Sequence, residues 1–147
     1  AVVSAGSGTF VGSLSCLGTV TDCTFSYTIT FKDLSSVIIN PPGSHIHNAA
    51  AGVNGPVVHF LDDTSQYVGK TAGTIVGDWS YLDDPRPLTD ALAAELLAGR
   101  TYFNLHTANF PTGEIRGQIA PVPLPAAAAL LLPGLALIGL VGRRRAA

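Results

Sequence analysis

The chain contains no methionine, only two cysteines and one tryptophan, and charged residues make up 12% of its 147 positions. Without a methionine, Ala1 does not read as a translated start, and the expectation is that a leader has been removed. Two cysteines, Cys16 and Cys23, are too few for a sulfur-ligated zinc site, and Cys-x6-Cys is a poor zinc signature. Their even count and close spacing fit a disulfide around residues 17–22 in an exported chain, the alternative being two unpaired thiols. Positive charge is scarce too. Three of the eight basic residues are Arg143, Arg144 and Arg145, and without them five basic residues face ten acidic ones, a formal −5. So acidic a body has no basic patch, which argues against nucleic acid as a partner. No Ser-His-Asp order, phosphate loop or paired-carboxylate context stands out, so binding is expected ahead of catalysis.

Glycine, serine, threonine and small apolar residues dominate what remains, as in β-rich secreted domains. The length suits one domain, read as residues 1–120, with 121–147 forming a separate tail. The clearest strand is Cys23 to Phe31, where Phe25, Tyr27, Ile29 and Phe31 alternate with Thr24, Ser26, Thr28 and Thr30. Residues 1–22 are weakly patterned, with short strands expected at 9–11 and 19–21. Further strands are expected at 37–39, around 45–47, and at 57–61, 74–82, 100–107 and 114–120, separated by Pro- and Gly-rich turns. One amphipathic helix is expected over 89–98. Leu88, Leu92 and Leu96 form its stripe, Thr89 its cap and Gly99 its end. Many short strands and one helix predict a mainly β fold, an antiparallel Greek-key-like sandwich or barrel.

Four histidines are present: His45, His47, His59 and His106. In Ser44-His45-Ile46-His47 the two imidazoles share one face of an extended chain and Ile46 takes the other. Around 100–107, Phe103 and Leu105 share one face while Tyr102, Asn104 and His106 share the other. If Ile46, Phe103 and Leu105 are core, then His45, His47 and His106 all point outward and can converge on one ion. His59 shares parity with Val57 and Leu61, against Val58 and Phe60. Parity does not decide its face, and it stands as a candidate fourth ligand. An all-histidine set without sulfur suits Cu(II) or Zn(II), and the affinity order favours copper over zinc. The plainer reading makes these histidines surface or hydrogen-bonding residues. Asn104, Glu114 and Arg116 are expected near the metal, as supports or to steer anions. Glu114 and Arg116 also share a strand face and are expected to form a surface ion pair. Asp62-Asp63 and Asp83-Asp84 read most simply as solvated loops.

The tail has its own logic. An apolar run of about 20 residues from Val122 to Val141 matches a bilayer core and predicts a C-terminal transmembrane helix. Arg143, Arg144 and Arg145 would stay on the cytoplasmic side. Val122-Pro123-Leu124-Pro125-Ala126, the apolar run and the arginines together resemble the VPLPA-type C-terminal sorting signal of Gram-negative bacteria. That resemblance implies a precursor anchored in the inner membrane, an exosortase-like enzyme that removes the tail, and delivery to the cell surface or extracellular matrix.

Within the body, four segments resemble a CHRD domain: Ser44-His45-Ile46-His47, residues 52–58, residues 97–107 with Tyr102-Phe103-Asn104-Leu105-His106-Thr107, and Pro111 to Ile119 with Gly113-Glu114-Ile115-Arg116-Gly117. The resemblance covers roughly residues 8–120 and implies an extracellular, β-rich domain. His59 is not part of that pattern. A weaker resemblance links the His-x-His strand, the later histidine and the Arg116-Gly117 strand to the copper site of copper-zinc superoxide dismutase. It implies His45, His47 and His106 as copper ligands, with Arg116 guiding an anion. The histidines that a zinc half would need are missing, and a shared architecture does not establish an activity.

Three functions follow as expectations. The first is a surface-delivered copper-binding domain for sequestration, delivery or redox protection, in contact with copper-handling proteins. The second is an adhesion or matrix module with structural histidines. The third is a redox enzyme of the dismutase type.

Overall fold

The computed structural model describes residues 2–122, apart from Pro42 and Asp62. The expected transmembrane helix and the sorting-motif residues Pro123, Leu124, Pro125, Ala126, Arg143, Arg144 and Arg145 lie outside these described residues; Val122 is the last inside them. Among the described residues no helix is long and apolar enough to cross a membrane.

Strand β2 (Cys23–Lys32) realises the strongest alternation in the sequence: Phe25, Tyr27, Ile29 and Phe31 are buried, and the Thr and Ser side chains between them point away. It pairs on one side with β1 (Ser7–Cys16) and on the other with β5 (Gly73–Ser80), both antiparallel. A second antiparallel sheet has the order β4-β3-β6-β7, built from β3 (Ser44–Asn48), β4 (Val57–Phe60), β6 (Thr101–Leu105) and β7 (Ile115–Ile119). The two sheets share one core. Phe103 of β6 meets Phe10 of β1 at 5.3 Å and Tyr27 of β2 at 5.2 Å between ring centroids. Buried aromatics of this size supply much of the hydrophobic driving force and lock the sheets face to face.

Strand β1 is far longer than the short 9–11 segment expected. Its inward positions are Phe10, Gly12, Leu14 and Cys16, so a glycine interrupts the apolar alternation. A Cβ at Gly12 would sit 2.7 Å from the Phe25 ring, so the aromatic opposite fills the space that a side chain would otherwise take. Cys16 and Cys23 face each other at the hairpin end and are joined by a disulfide. Residues 19–21 are not a strand but part of that hairpin loop. Residues 37–39 are not a strand either: Ile38 alone makes bridges, to Val68 and Thr107.

One α-helix, α1 (Asp90–Leu97), connects β5 to β6. Thr89 caps it by accepting from the Leu92 N–H, Leu88, Ala93 and Leu96 are buried, and Gly99 ends it at φ +69°. Fixed in this way, the helix delivers the chain to β6, the central strand of the site.

Candidate metal centre

Strands β3 and β6 lie side by side with His45 opposite Asn104, Ile46 opposite Phe103 and His47 opposite Tyr102. Ile46, Phe103 and Leu105 therefore face the core, and His45, His47, Tyr102, Asn104 and His106 share the other face. One ring nitrogen from each of His45, His47 and His106 lies within 4.8 Å of the other two. Three nitrogens bound in one plane to an ion at ~2.0–2.1 Å are ~3.5 Å from one another. Ring movements of up to about 0.7 Å therefore bring the three into ligation range.

This face points away from the core, yet it is not solvent-exposed, as outward strand parity had suggested. His45 is 4% exposed, His106 6% and Tyr102 2%. Two loops cover it. Residues 49–56 fold back over β3, the Asn48 N–H donating to the Pro56 carbonyl at 3.0 Å. On the other side, the carbonyl of Pro111 accepts from His106 Nδ1 at 2.9 Å. The carbonyl of Gly55 does the same for His47 Nδ1, also at 2.9 Å. A carbonyl only accepts, so each Nδ1 carries a proton, and it is Nε2 that offers the lone pair in the neutral ring. This is how proteins commonly hold metal-binding imidazoles. His47 Nε2 is buried with no hydrogen-bond partner. Burial, with the neighbouring His47, pushes the His106 pKa down against the opposing Pro111 bond, which favours the neutral, ligating form.

Tyr102 ties the face together. Its ring stacks on His47 at 4.8 Å with planes 7° apart, and the Arg116 guanidinium sits 3.5 Å over the same ring. Because β3 and β7 flank β6 on opposite sides, Tyr102 separates Arg116 from His47. Arg116 also donates to Asn54 Oδ1 and to the Val53 carbonyl, and the Gly55 N–H donates to Tyr102 Oη. Arg116 thus clamps the covering loop onto Tyr102, with the Tyr102 ring between it and His47. Asn104 is adjacent to the triad, its Nδ2 lying 3.2 Å from His106 Nε2.

Glu114 is elsewhere, and it does not pair with Arg116 at the surface. It is buried and accepts hydrogen bonds from Ser4 Oγ, Ser35 N and Oγ, and Thr107 Oγ1. Burial pushes its carboxyl up, but these four bonds outweigh that effect and hold it below the ordinary range. Its role is to pin the N-terminal segment and residues 35 and 107 together.

His59 does not join the others. The β3–β4 register puts Phe60 opposite His45 and His59 opposite Ile46, on the core face. It is 2% exposed, stacks on Trp79 at 5.4 Å and lies 3.9 Å from Asp83. It was legible as ambiguous because the alternation offered two equal faces, and only its pairing with Ile46 resolves it. What the sequence did not offer was the role of the Gly55 and Pro111 carbonyls, since backbone groups carry no residue signature. Gly55 itself left one trace, an Asn-Gly-Pro loop. A Cβ there would lie 1.9 Å from the Asn48 carbonyl oxygen, so only glycine lets the loop descend to His47.

Two antiparallel sheets in one core, with a histidine triad on the covered outer face of β3 and β6, define a small β domain with a possible metal centre. A family model for the CHRD domain matches residues 1–119, and the chain belongs to the CHRD domain family. No curated protein and no solved structure matches the chain.

Proposed function

We propose that this protein is an exported CHRD domain that binds one copper ion through His45, His47 and His106, serving sequestration, delivery or redox protection. The observation that carries the reading is the pair of Nδ1-to-carbonyl bonds, which leave Nε2 as the free end of the His47 and His106 rings for ligation, His47 Nε2 being buried and unsatisfied. A buried polar atom without a partner costs about 1–3 kcal/mol, and an ion at this point would offset that cost. The all-imidazole donor set supports copper over zinc through the affinity order.

The tail supports the place of action. In this reading Val122 to Ala126, the apolar run and Arg143 to Arg145 hold a precursor in the inner membrane until an exosortase-like enzyme releases it to the surface or matrix. Copper-handling proteins are the partners this role calls for. Superoxide dismutation is not proposed, because Arg116 is engaged with Tyr102 and the covering loop.

The test is a copper titration of the whole 147-residue chain and of its His47→Ala and His106→Ala variants. Circular dichroism reports whether each variant is folded. One equivalent bound by the parent, with a loss of at least ~100-fold in both folded variants, supports the reading. Full retention in His106→Ala would sink the three-histidine site, and no copper bound by the folded parent would leave the adhesion module as the better account.

A further inference from the structure

An edge strand leaves a row of backbone N–H and C=O groups unpaired, and proteins commonly blunt it with charge, proline, a bulge or a covering element. The two sheets have edges at β1 and β5 in one and at β4 and β7 in the other. On β5 the Gln66 amide imitates a further strand. Its oxygen accepts from the Val76 N–H at 2.6 Å, and its nitrogen donates to the Val76 carbonyl at 2.9 Å. On β4 the Arg86 guanidinium donates to the Val57 carbonyl at 2.7 Å and adds a charge. Strand β7 carries Arg116 and lies against the first half of β1, where a Cβ on Gly8 would be 3.3 Å from Ile115 Cδ1. The second half of β1 has none of these devices. Ser7–Cys16 contains no charge and no proline, and it pairs with β2 in unbroken register. Its residues are exposed or half-buried throughout. Among the described residues, no hydrogen bond reaches residues 11–16 from the side away from β2.

The register shows which groups β1 offers. Gln66 holds both backbone groups of Val76, so these point away from β2. Val76 is opposite Thr28, and Thr28 is opposite Val11. Bonded and non-bonded pairs alternate along an antiparallel ladder, and a residue turned away from one neighbouring strand faces the other. Thr28 therefore bonds to Val11, and Gly12, Leu14 and Cys16 turn their N–H and C=O groups to the open side. The Cα atoms of Cys16 and Cys23 are 4.0 Å apart, the close approach of a pair that exchanges no ladder bonds.

Two exposed apolar residues show what fits this edge. Val11 is 71% exposed and Leu17, just past the strand end, 81%. They flank Leu14 symmetrically. Two β1 strands laid antiparallel about Leu14 put Val11 of each copy opposite Leu17 of the other, and Ser13 opposite Ser15. Leu14 then meets its own counterpart and Gly12 meets Cys16, all through their open groups, which yields about six main-chain hydrogen bonds. The acidic body repels a second copy, whereas β1 brings no charged side chain to the contact.

We propose that a second copy of this chain docks on the β1 edge, antiparallel about Leu14, and joins the two copies' β1-β2-β5 sheets into one. The contact is the same patch on both partners, so it closes as a dimer. It uses none of the histidines and stands apart from the copper reading.

The test uses the whole chain in a non-ionic detergent, which disperses its apolar run. Sedimentation equilibrium measures association, and amide hydrogen exchange reads the edge directly. A monomer–dimer equilibrium is expected, with the Gly12, Leu14 and Cys16 amides exchanging at least ~10-fold more slowly where the dimer predominates. Ser13 and Ser15 point to solvent, so both accept charge without loss of the fold, as circular dichroism would confirm. Ser13→Lys with Ser15→Lys sets lysine opposite lysine and should weaken the dimer at least ~10-fold. Ser13→Lys with Ser15→Glu sets lysine opposite glutamate and should return affinity to within ~3-fold of the parent. A monomer at every concentration up to ~1 mM would overturn the proposal. So would a dimer whose three edge amides exchange as fast as in the monomer, or one that the paired lysines leave intact. Equal weakening by the two double variants, both folded, would overturn the pairing about Leu14.

Discussion

Replacing Gly55 by alanine probes the covering loop without touching a ligand. The new Cβ would lie 1.9 Å from the Asn48 oxygen, 2.6 Å from the Asn48 carbonyl carbon and 2.8 Å from the Ala49 Cβ. The nearest two are backbone atoms, so no flexible side chain can move aside, and the loop must retreat by more than an ångström. That retreat breaks the His47 Nδ1 bond to the Gly55 carbonyl at 2.9 Å and the Gly55 N–H bond to Tyr102 at 3.3 Å. Losing such bonds inside a partly buried network costs about 1–3 kcal/mol of stability. It also frees the His47 ring to rotate and to exchange tautomers. Losing an imidazole's outer hydrogen-bond partner typically costs 10–100-fold in metal affinity, and the same range is expected here. Denaturant unfolding of the metal-free chain measures the first effect and a copper titration the second. Nitrogen-15 spectra of the imidazoles report the His47 tautomer directly. If Gly55→Ala keeps His47 protonated on Nδ1 and binds copper within twofold of the parent, the loop does not orient the ligand and the reasoning fails.

Other perturbations separate the parts of the structure. Arg116→Ala removes the contact with Tyr102 and two loop hydrogen bonds, and should cost about 1 kcal/mol together with a several-fold loss of copper affinity; unchanged affinity would mean that the loop holds without the clamp. Glu114 has a lowered pKa in the fold, so its contribution is fully present above its unfolded value of about pH 4.3 and fades as pH falls through the lower folded value. Acid titration of stability should show this loss in the parent, and Glu114→Gln should flatten it while lowering stability at neutral pH by about 2–3 kcal/mol. Replacing both Cys16 and Cys23 by serine opens an eight-residue loop and should destabilise the domain by about 2.5 kcal/mol, read from the denaturant midpoint, with copper affinity unchanged because the hairpin lies on the other sheet.

How much of this was legible in advance depends on what kind of signal each feature leaves. The alternation of Phe25, Tyr27, Ile29 and Phe31 is a period-2 pattern that no other element produces, and it appears as β2. Helix α1 announced itself through Thr89, the leucine spacing and Gly99. The shared face of His45, His47 and His106 follows from parity once Ile46 and Phe103 are core, and the β3–β6 register carries that parity across strands. Strand β1 was hidden because Gly12 yields its space to Phe25, a fact of the partner strand. The burial of the triad was hidden because parity tells which face a residue takes but not what covers that face. Here residues 49–56 and the carbonyl of Pro111 cover it, and their approach depends on tertiary contacts far apart in sequence. Glu114 was read as a surface partner of Arg116 for the same reason: Ser4 and Ser35 reach it from distant parts of the chain.

The most direct measurement is X-ray absorption at the copper edge on the copper-loaded chain, which counts the nearest atoms and recognises imidazole by its outer-ring scattering. Three imidazole nitrogens at about 2.0 Å, falling to two in His106→Ala, is the predicted result. Two or fewer imidazoles in the parent, or an ion ligated mainly by oxygen or sulfur, would contradict the claim that His45, His47 and His106 share one ion.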